Sequence, residues 1–472
     1  PMSILDRFFT RSYHPLSVTA LPVKSLYTRL QEYYDNNDLY EATQAYSHEQ
    51  GKWVEAIKPL KTCVNRSVEF YVSRLCKDKV VVTAEDEAVE EAVEQFLKWS
   101  NFESKKRPYV RSMALLGDLF LKVVSNPSKV YAEMVDPSHV TSFSVDYRGY
   151  IQEIRIDIPM KDDHDQPYTY TETWNKEYFS SWNHHYTDST PLEDLGTPSQ
   201  FVYLAQMGID FVPIVWIPFK QVNGKDRGES CVGHALAKID EVNRITTRLH
   251  QILWRYNKPL WVVSANAVDK NNRPLPAPVV KGKSAGEERD LDLLAQELIY
   301  LPGMSSMSSL IPDIDYNAAL AIVKAMEEEL EKDLPELRYY SLNDTQNSGK
   351  ALKILLAPSI DRAEEAKSNL IAGIKRLNEM ALTVGKFMGL FPSIGTYEKG
   401  EYEHSLDFGD VFPQDNDDKA ATLKTLAEAG VPLETAMKLA GFDESTIAEA
   451  VEAKRAQEER AMGSFLTEFN KG

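Results

Sequence analysis

Residues 341–387 read SLNDTQNSGKALKILLAPSIDRAEEAKSNLIAGIKRLNEMALTVGKF and organise the predicted fold. The first nine residues are mostly polar. After them, apolar residues recur at steps of three and four: Leu352, Leu356, Ile360, Ala363, Ala366, Leu370, Ile374, Leu377, Ala381 and Val384. This spacing places one apolar stripe on one face of an α-helix. A helix over 350–388 would be roughly 58 Å long at 1.5 Å per residue.

Pro358 lies inside this predicted helix. Proline has no N–H and clashes with the preceding turn, at a cost of about 3 kcal/mol in a straight helix. We therefore predict a kink near Ala357, in a long helix that directly follows a polar loop. This geometry suits a ring or tube that brings loops to its axis better than it suits an enzyme.

The remaining periodicity predicts an α+β chain. Helices are predicted over most of 21–60 and over 57–75, 84–99, 108–117, 231–256, 316–334, 417–429, 433–439 and 444–461. Strands are predicted at 77–82, 119–124, 130–135, 141–145, 151–158, 168–175, 177–182 and 402–408, with polar loops at 159–167 and 183–199. The apolar run 211–219 contains Pro213, which cannot donate a ladder hydrogen bond, so we expect an edge strand or an extended segment there. Between the helices 231–256 and 316–334, strand-like segments at 259–264, 277–280 and 297–301 predict a small α/β insert.

The amino-acid composition limits the classes of protein to which the chain can belong. A chain of 472 residues with 43% hydrophobic residues can bury real cores and suggests two to four domains. Its net charge of −18 would not attract nucleic acid, because phosphates repel it, but it is compatible with a protein that lets DNA pass without holding it. The three cysteines, Cys63, Cys76 and Cys231, match no zinc or redox spacing, so we expect reduced, buried thiols. No apolar run approaches 18 residues, and no membrane span is expected.

Two short motifs resemble catalytic ones but depart from them. Lys281-Gly282-Lys283-Ser284 is similar to the end of a phosphate-binding loop, yet Ala277 stands where that loop needs a glycine. A basic surface loop is the better interpretation. The segment 228–232 (GESCV) nearly forms a nucleophile elbow, but the closing glycine comes one place late. We interpret Ser230 as a cap of the following helix.

Polar clusters are also interpreted as structural. His184 and His185 in one predicted loop and 162–165 (DDHD) in another lack the spacing of a metal site, so solvated loops are expected. Glu327, Glu328 and Glu331 could form a catalytic carboxylate cluster, although on an amphipathic helix a solvated acidic face is the commoner explanation. The final helices carry eleven acidic against six basic residues over 415–461, the wrong sign for a DNA-reading motif. We predict no catalytic residue, no cofactor and no metal.

Four stretches, in this order along the chain, resemble the portal proteins of tailed bacteriophages. They are 113–123 (MALLGDLFLKV); 136–140 (DPSHV); 212–215 (VPIV) followed by 228–230 (GES) and a helix with Asp240, Val242 and Asn243; and 347–352 (NSGKAL). The resemblance covers roughly residues 50–460. Each motif is weak alone, and their order and spacing give the set its specificity.

The resemblance implies an α+β portal fold in seven parts. These are the wing, 1–225, of helices and an antiparallel β region; the first stem helix, 226–256; the small α/β clip, 257–315; the second stem helix, 316–337; the tunnel loop, 338–349; the long kinked helix and its return to the wing, 350–412; and the helical crown, 413–472.

It also implies a ring of typically twelve identical subunits at one capsid vertex, whose channel serves genome packaging and ejection. Double-stranded DNA would pass through without sequence-specific contact. The implied partners are the terminase large subunit, head-completion or adaptor proteins, and major capsid and scaffolding proteins, with no membrane. The implied location is the virion, and the host cytoplasm during assembly. Packaging ATP would be hydrolysed by the terminase, since this chain lacks a phosphate-binding loop.

The division into seven parts that the resemblance implies also assigns candidate site residues. The DNA-channel candidates are Leu342, Asn343, Asp344, Thr345, Gln346, Asn347 and Ser348. They include no cation, so they could touch DNA without trapping its phosphates. Gly349 is the candidate hinge and Pro358 the candidate kink. The acidic stem face would comprise Glu327, Glu328 and Glu331, and the clip contacts to a partner or DNA would be Lys281 and Lys283.

Two alternatives stay open at this point. One is an unrelated ring-forming viral structural or connector protein, whose ring would lack a helix-hairpin stem and a loop at the constriction. The other is an enzyme with an unrecognised site, in which a single polar substitution would abolish turnover.

Overall fold

The computed structural model describes most of the chain. The described residues are 23–35, 63–162, 164–186, 190–256, 261–265, 305–309, 316–341, 349–395, 402–411 and 416–440, with a few positions in 442–454. The helices in chain order are α1 (Val23–Asp35), α2 (Val64–Leu75), α3 (Glu87–Trp99), α4 (Phe102–Leu116), α5 (Leu236–Tyr256), α6 (Tyr316–Asp333), α7 (Arg338–Ser341), α8 (Gly349–Phe387), α9 (Asn416–Glu428) and α10 (Leu433–Leu439). The strands are β1 (Val81–Ala84), β2 (Asp118–Asn126), β3 (Lys129–Val135), β4 (Val140–Val145), β5 (Ile151–Lys161), β6 (Pro167–Asn175), β7 (Tyr178–His184), β8 (Gln200–Tyr203), β9 (Ile214–Pro218), β10 (Trp261–Ala265), β11 (Ser305–Ser309) and β12 (His404–Asp407).

All described strand pairs are antiparallel and form four sheets. A central sheet has the order β3-β2-β9, and a five-stranded meander has the order β4-β5-β6-β7-β8. Two further pairs are β1 with β12 and β10 with β11. Among the described strands, β9 pairs with β2 alone and lies at the edge of its sheet, in agreement with the expectation from Pro213. The mixed helix and sheet class is therefore confirmed, while the division into seven parts stays a prediction.

The long helix α8 lies against the central sheet. It packs on β9, β2 and β3, and also on α3 and β12. Its predicted stripe is buried at Leu356, Ala363, Ala366, Leu370, Ile374, Leu377, Ala381 and Val384. Ile360 is half-buried, and the side chain of Leu352 is outside the described set. A Cβ at Gly373 would lie 2.4 Å from Cγ1 of Ile217, so glycine allows the helix to approach β9 closely.

The predicted ends of α8 are accurate, but its kink is untested. Residues 350–388 were expected, and the helix runs over Gly349–Phe387. The helix continues through Pro358, which is exposed, and the bend near Ala357 stays a prediction.

Several other predicted boundaries are wrong. The helix expected from 231 begins at Leu236, after a short 3-10 turn at Gly233–Ala235. The reason is tertiary: the backbone N–H of Cys231 donates to the carbonyl of Ala114 at 3.0 Å, which holds the chain on α4. The helix α2 spans Val64–Leu75, with Cys63 before it, and the part of this prediction at 57–62 lies outside the described residues. The helix α4 begins at Phe102, six residues before the expected Pro108.

The strand predictions need similar correction. Strand β1 spans Val81–Ala84 instead of 77–82, because its ladder is set by pairing with β12. The expected loops 159–167 and 183–199 are partly strand, since β5 reaches Lys161 and β7 reaches His184. Strands β8 and β11 were not predicted, and β11 (SSMSS) has no apolar alternation to reveal it. The predicted strands 277–280 and 297–301, and most of the last predicted helix, lie outside the described residues.

The backbones at two glycines, Gly117 and Gly228, approach each other closely where β2 begins. A Cβ at Gly117 would lie 2.6 Å from the carbonyl oxygen of Gly228, and a Cβ at Gly228 would lie 2.1 Å from the carbonyl oxygen of Gly117. Gly117 has φ +87° and ends α4 in the left-handed region. Both neighbours are backbone, so neither side can move without shifting a strand or a loop.

We predict that Gly228→Ala lowers the free energy of unfolding by about 3 kcal/mol, the upper range for overpacking. The matched control is Gly233→Ala, whose added Cβ would meet only Cβ of Ser230, at 3.4 Å. That control should change stability by less than about 1 kcal/mol. Urea unfolding followed by circular dichroism compares the two. Equal effects would contradict the proposed close contact.

Candidate functional site

The helices α5 and α6 form an antiparallel hairpin. Nζ of Lys238 lies 2.7 Å from Oδ2 of Asp333 and 3.7 Å from Oε1 of Glu329. Nε2 of His234 lies 3.1 Å from the carbonyl oxygen of Asp333. Lys238 and Glu329 are largely exposed, so water screens these ion pairs and their contribution to stability is small. Their effect is to fix the register of the two helices.

A buried carboxyl lies where the hairpin meets the long helix. Glu336, in the short turn after α6, is fully buried. The hydroxyl of Tyr71 on α2 donates to its Oε2 at 3.2 Å. Arg362 on α8 lies 3.9 Å from the same oxygen and donates to the carbonyl of Asp333 at 3.0 Å. Burial raises the pKa of Glu336 and outweighs the lowering effect of these neighbours. This junction ties α2, α6 and α8 together.

Aromatic contacts fix the chain just before residues 342–348. The guanidinium of Arg74 lies 4.8 Å from the ring centroid of Tyr339 and 5.5 Å from that of Phe70. The hydroxyl of Tyr340 donates to the carbonyl of Arg66 at 3.1 Å. Cation–π contacts of this kind contribute about 0.5–1 kcal/mol at exposed sites. The short helix α7 is therefore attached to α2.

The helix α1 joins the central sheet to the hairpin. The hydroxyl of Tyr33 donates to Oδ1 of Asp240 on α5, and Arg29 forms an ion pair with Oδ2 at 3.1 Å. Six residues before Tyr33, the hydroxyl of Tyr27 donates to Oδ2 of Asp118, the first residue of β2. Burial raises the pKa of both carboxyls, Asp118 and Asp240. A helix of thirteen residues thus contacts both the sheet and the hairpin.

Asp118 is the residue that sequence reasoning missed. Besides Tyr27, it accepts from Nε1 of Trp216 at 2.6 Å and from the backbone N–H of Gly228 at 2.9 Å. The available signal was an acidic residue at the start of an otherwise apolar strand, which needs partners if buried.

The predicted site residues are distributed as follows. Residues 342–348, Lys281 and Lys283 lie outside the described residues. Gly349 is the first residue of α8. Glu328 is exposed on α6, while Glu327 and Glu331 are half-buried.

The expectation that His184 lies in a solvated loop is wrong. His184 is buried at the end of β7, where its Nε2 lies 2.8 Å from Oγ1 of Thr171. Thr171 in turn donates to Oδ1 of the buried Asp157 at 2.6 Å. The strand extends beyond its predicted end because it pairs with β6, which the local polar sequence does not reveal. His185, by contrast, is exposed.

Ser230 is a structural residue, although the turn that it caps is not α5 itself. Its Oγ accepts from the backbone N–H of Val232 at 3.3 Å and donates to the carbonyl of Ala114 at 3.4 Å. The expected reduced thiols are confirmed, since Cys63, Cys76 and Cys231 are all buried and free.

The side chains and helices of the described part of the chain bear on metal binding and on membrane insertion. Within it, no cluster of three or more His, Cys, Asp or Glu side chains has an arrangement suited to a metal ion. None of the helices in these described ranges combines the length and the apolar character that crossing a membrane requires.

Comparison with known proteins identifies one family. The model of the family described as "Phage portal protein, SPP1 Gp6-like" matches residues 23–464. No curated protein sequence matches the chain.

Solved structures that resemble this one include parts of gene transfer agent (GTA) particles. The neck of an empty GTA particle, computed with C6 symmetry, shares 11% identity at a TM-score of 0.46, over 81% of this chain and 90% of that one. A virion of a native gene transfer agent particle shares 12% identity at a TM-score of 0.40, over 80% and 89% of the two chains.

We predict that Glu336→Gln stabilises the protein more at pH 8 than at pH 5. The folded pKa of Glu336 is raised, so the folded protein holds a proton that the unfolded chain releases above pH about 4.3. Stability is therefore lost as the pH rises from that value to the folded pKa. Glutamine cannot lose this proton, and each unit of pKa elevation corresponds to about 1.4 kcal/mol.

Thermal unfolding across this pH range measures the difference between variant and parent. The exposed Glu365 gives the control, Glu365→Gln, which should show the same pH slope as the parent. A pH-independent loss of stability in Glu336→Gln would mean instead that an ionised Glu336 stabilises the junction.

Proposed function

Because the chain belongs to the phage portal protein family, which a match over residues 23–464 shows, we propose that its copies close into a ring at one capsid vertex. DNA would enter and leave the capsid through the axial channel of this ring. The observation that carries the proposal is the family match, which spans the hairpin, the junction and the long helix. The portal function itself is structural, and we propose no catalytic residue and no cofactor for it.

Exposed apolar side chains support the ring. Leu320 and Ile322 on α6 are 47% and 56% exposed, and Ile354 near the start of α8 is 77% exposed. Neighbouring copies of the chain would cover such residues in a ring. The expected number of subunits is twelve.

The proposed channel face is acidic. The chain carries a net charge of −18, and we propose that the wall of the channel as a whole repels phosphates. We propose that Glu327, Glu328 and Glu331 form an acidic face of the stem. DNA could then move without adhering, because few counterions would be released on contact.

The tunnel loop is proposed at residues 338–349, with Leu342–Ser348 touching DNA. Tyr339 and Tyr340 support this proposal, since their contacts with α2 fix one end of the segment. Gly349 would serve as the hinge at the other end, and Pro358 would bend the helix that follows. The acid and amides of the segment would contact DNA without forming ion pairs with it.

The remaining assignments follow the same proposal. The wing would be 1–225, the stem 226–256 and 316–337, the clip 257–315 and the crown 413–472. Lys281 and Lys283 on the clip would contact the terminase large subunit, head-completion proteins or DNA. The chain would assemble in the host cytoplasm with major capsid and scaffolding proteins and remain in the virion.

Native mass spectrometry with negative-stain imaging tests the ring. A ring of twelve copies of the 53.5 kDa chain would have a mass of about 640 kDa (12 × 53.5) and a central hole. Rings with a neighbouring subunit number would also support the proposal. A stable monomer or dimer at micromolar concentration would contradict it.

We predict that Asn343→Lys with Asn347→Lys slows DNA packaging. Each added cation would release counterions on phosphate contact and so hold the DNA in the channel. The amount of DNA protected per capsid in a packaging assay should fall by about tenfold at low salt and recover partly at high salt. Gln200→Lys, an exposed position on β8, adds charge away from the proposed channel and should have no effect. Unchanged packaging by the double variant would contradict DNA contact at these residues.

A further inference from the structure

We propose that neighbouring copies of this chain join their hairpins through two different flanks. This proposal rests on the proposed ring. The first is the α6 flank, defined by Leu320, Glu328 and Glu331. The second is the α5 flank, centred on Arg244. In each contact, carboxylates on the α6 flank of one copy would pair with Arg244 on the α5 flank of the next.

The ion pairs of the hairpin show where each flank points. Lys238 on α5 and Asp333 on α6 face each other across the hairpin. At 100° per residue, Arg244 lies about 120° around α5 from Lys238, and Glu328 lies about 140° around α6 from Asp333. Since the helices are antiparallel and right-handed, these rotations place Arg244 and Glu328 on opposite outer sides of the hairpin.

The buried residues agree with this placement. Ile239 on α5 and Leu330 on α6 are both buried and lie on one common face of the hairpin. Arg244 and Glu328 point away from that face. Neither flank is therefore needed for packing within the chain.

The two flanks also lie at matching heights. Lys238 bridges Glu329 and Asp333, so it is level with residue 331 of α6. Six residues further along α5, Arg244 is then level with residue 325, about 4.5 Å from Glu328 along the axis. Helical side chains lean toward the N-terminus of their own helix. In antiparallel helices this brings Arg244 and the Glu328 of a neighbour at the same height toward each other.

The charges of the flanks are complementary. Glu328 is exposed and Glu331 half-buried, and within the described ranges neither carboxylate forms an ion pair. Arg244 contacts Glu241 on its own helix and is 55% exposed, and its five donors allow a second carboxylate. The sequence adds Arg248 and Arg255 at four and eleven residues beyond Arg244.

An apolar side chain extends the α6 flank. Leu320 lies eight residues before Glu328, close to the same face of the helix, and is 47% exposed. A contact between two different surfaces of one molecule is heterologous and forms a ring when its rotation closes. In a head-to-head dimer, by contrast, each flank would face the same flank of the other copy, so like charges would oppose each other.

Charge reversal tests the pairing. Arg244→Glu and Glu328→Arg are each expected to raise the protein concentration at which rings dissociate by at least tenfold, because like charges then face each other. The double variant restores opposite charges and should return within about threefold of the parent. Ring content is measured by native mass spectrometry at several concentrations, with circular dichroism to verify folding. Glu94→Arg, an exposed acid on α3, is the matched control and should leave rings unchanged.

Disulfide trapping gives an independent measurement. The variant carrying both Arg244→Cys and Glu328→Cys should form covalent multimers on oxidation, since the two positions of one chain face opposite sides. The three natural cysteines are buried, and the parent protein should not cross-link. This pairing alone would be overturned in either of two cases in which the parent protein does form rings. In the first, the single charge reversals have no effect on the rings. In the second, the double-cysteine variant forms no covalent multimers. Absence of rings in the parent protein would overturn the proposed function as well.

Discussion

The fold depends on a carboxyl group with no exposure to solvent. Asp118 begins the central strand β2 and accepts hydrogen bonds from α1, from β9 and from the loop that precedes α5. A buried carboxyl that loses its partners costs several kcal/mol, so these three segments must meet at one point. The crossing of Gly117 and Gly228 exists for the same reason, because only glycine lets the loop approach closely enough to donate. The position of the loop then sets where α5 begins.

A second buried carboxyl, Glu336, has a related role at the same end of the hairpin, just after the last turn of α6. It lies between the end of α6 and the side of α8, within reach of Tyr71 and Arg362. The hairpin is thus held by α1 and the Asp118 network on one side and by the Glu336 junction on the other. Since α8 also packs along the central sheet, a force on the hairpin would be transmitted to the sheet through packed side chains. This arrangement suits a subunit whose hairpins line a channel.

Sequence reasoning predicted the parts with strong periodicity. The stripe of α8 follows from spacing alone, because a helix that packs on a sheet needs one apolar face. Pro213 predicted an edge strand, since proline cannot donate to a ladder. The order of motifs then indicated the family, which the match over 23–464 confirms. Features that arise from distant contacts were missed. Leu236 starts α5 because Cys231 is bound to α4, and His184 is buried because β7 extends along β6. Of the candidate site, the acidic residues of α6 were predicted, whereas Asp118 and Glu336 depend on partners far away in sequence.

The proposed function requires that copies of this chain form a ring with the hairpins around its axis. An electron cryo-microscopy map of the purified particles tests it most directly. We expect a closed ring in which α5 and α6 surround the axis and residues 342–348 lie at the narrowest point of the channel. A ring with its hairpins on the outer surface, or a channel whose narrowest point is formed by the five-stranded sheet, would contradict it.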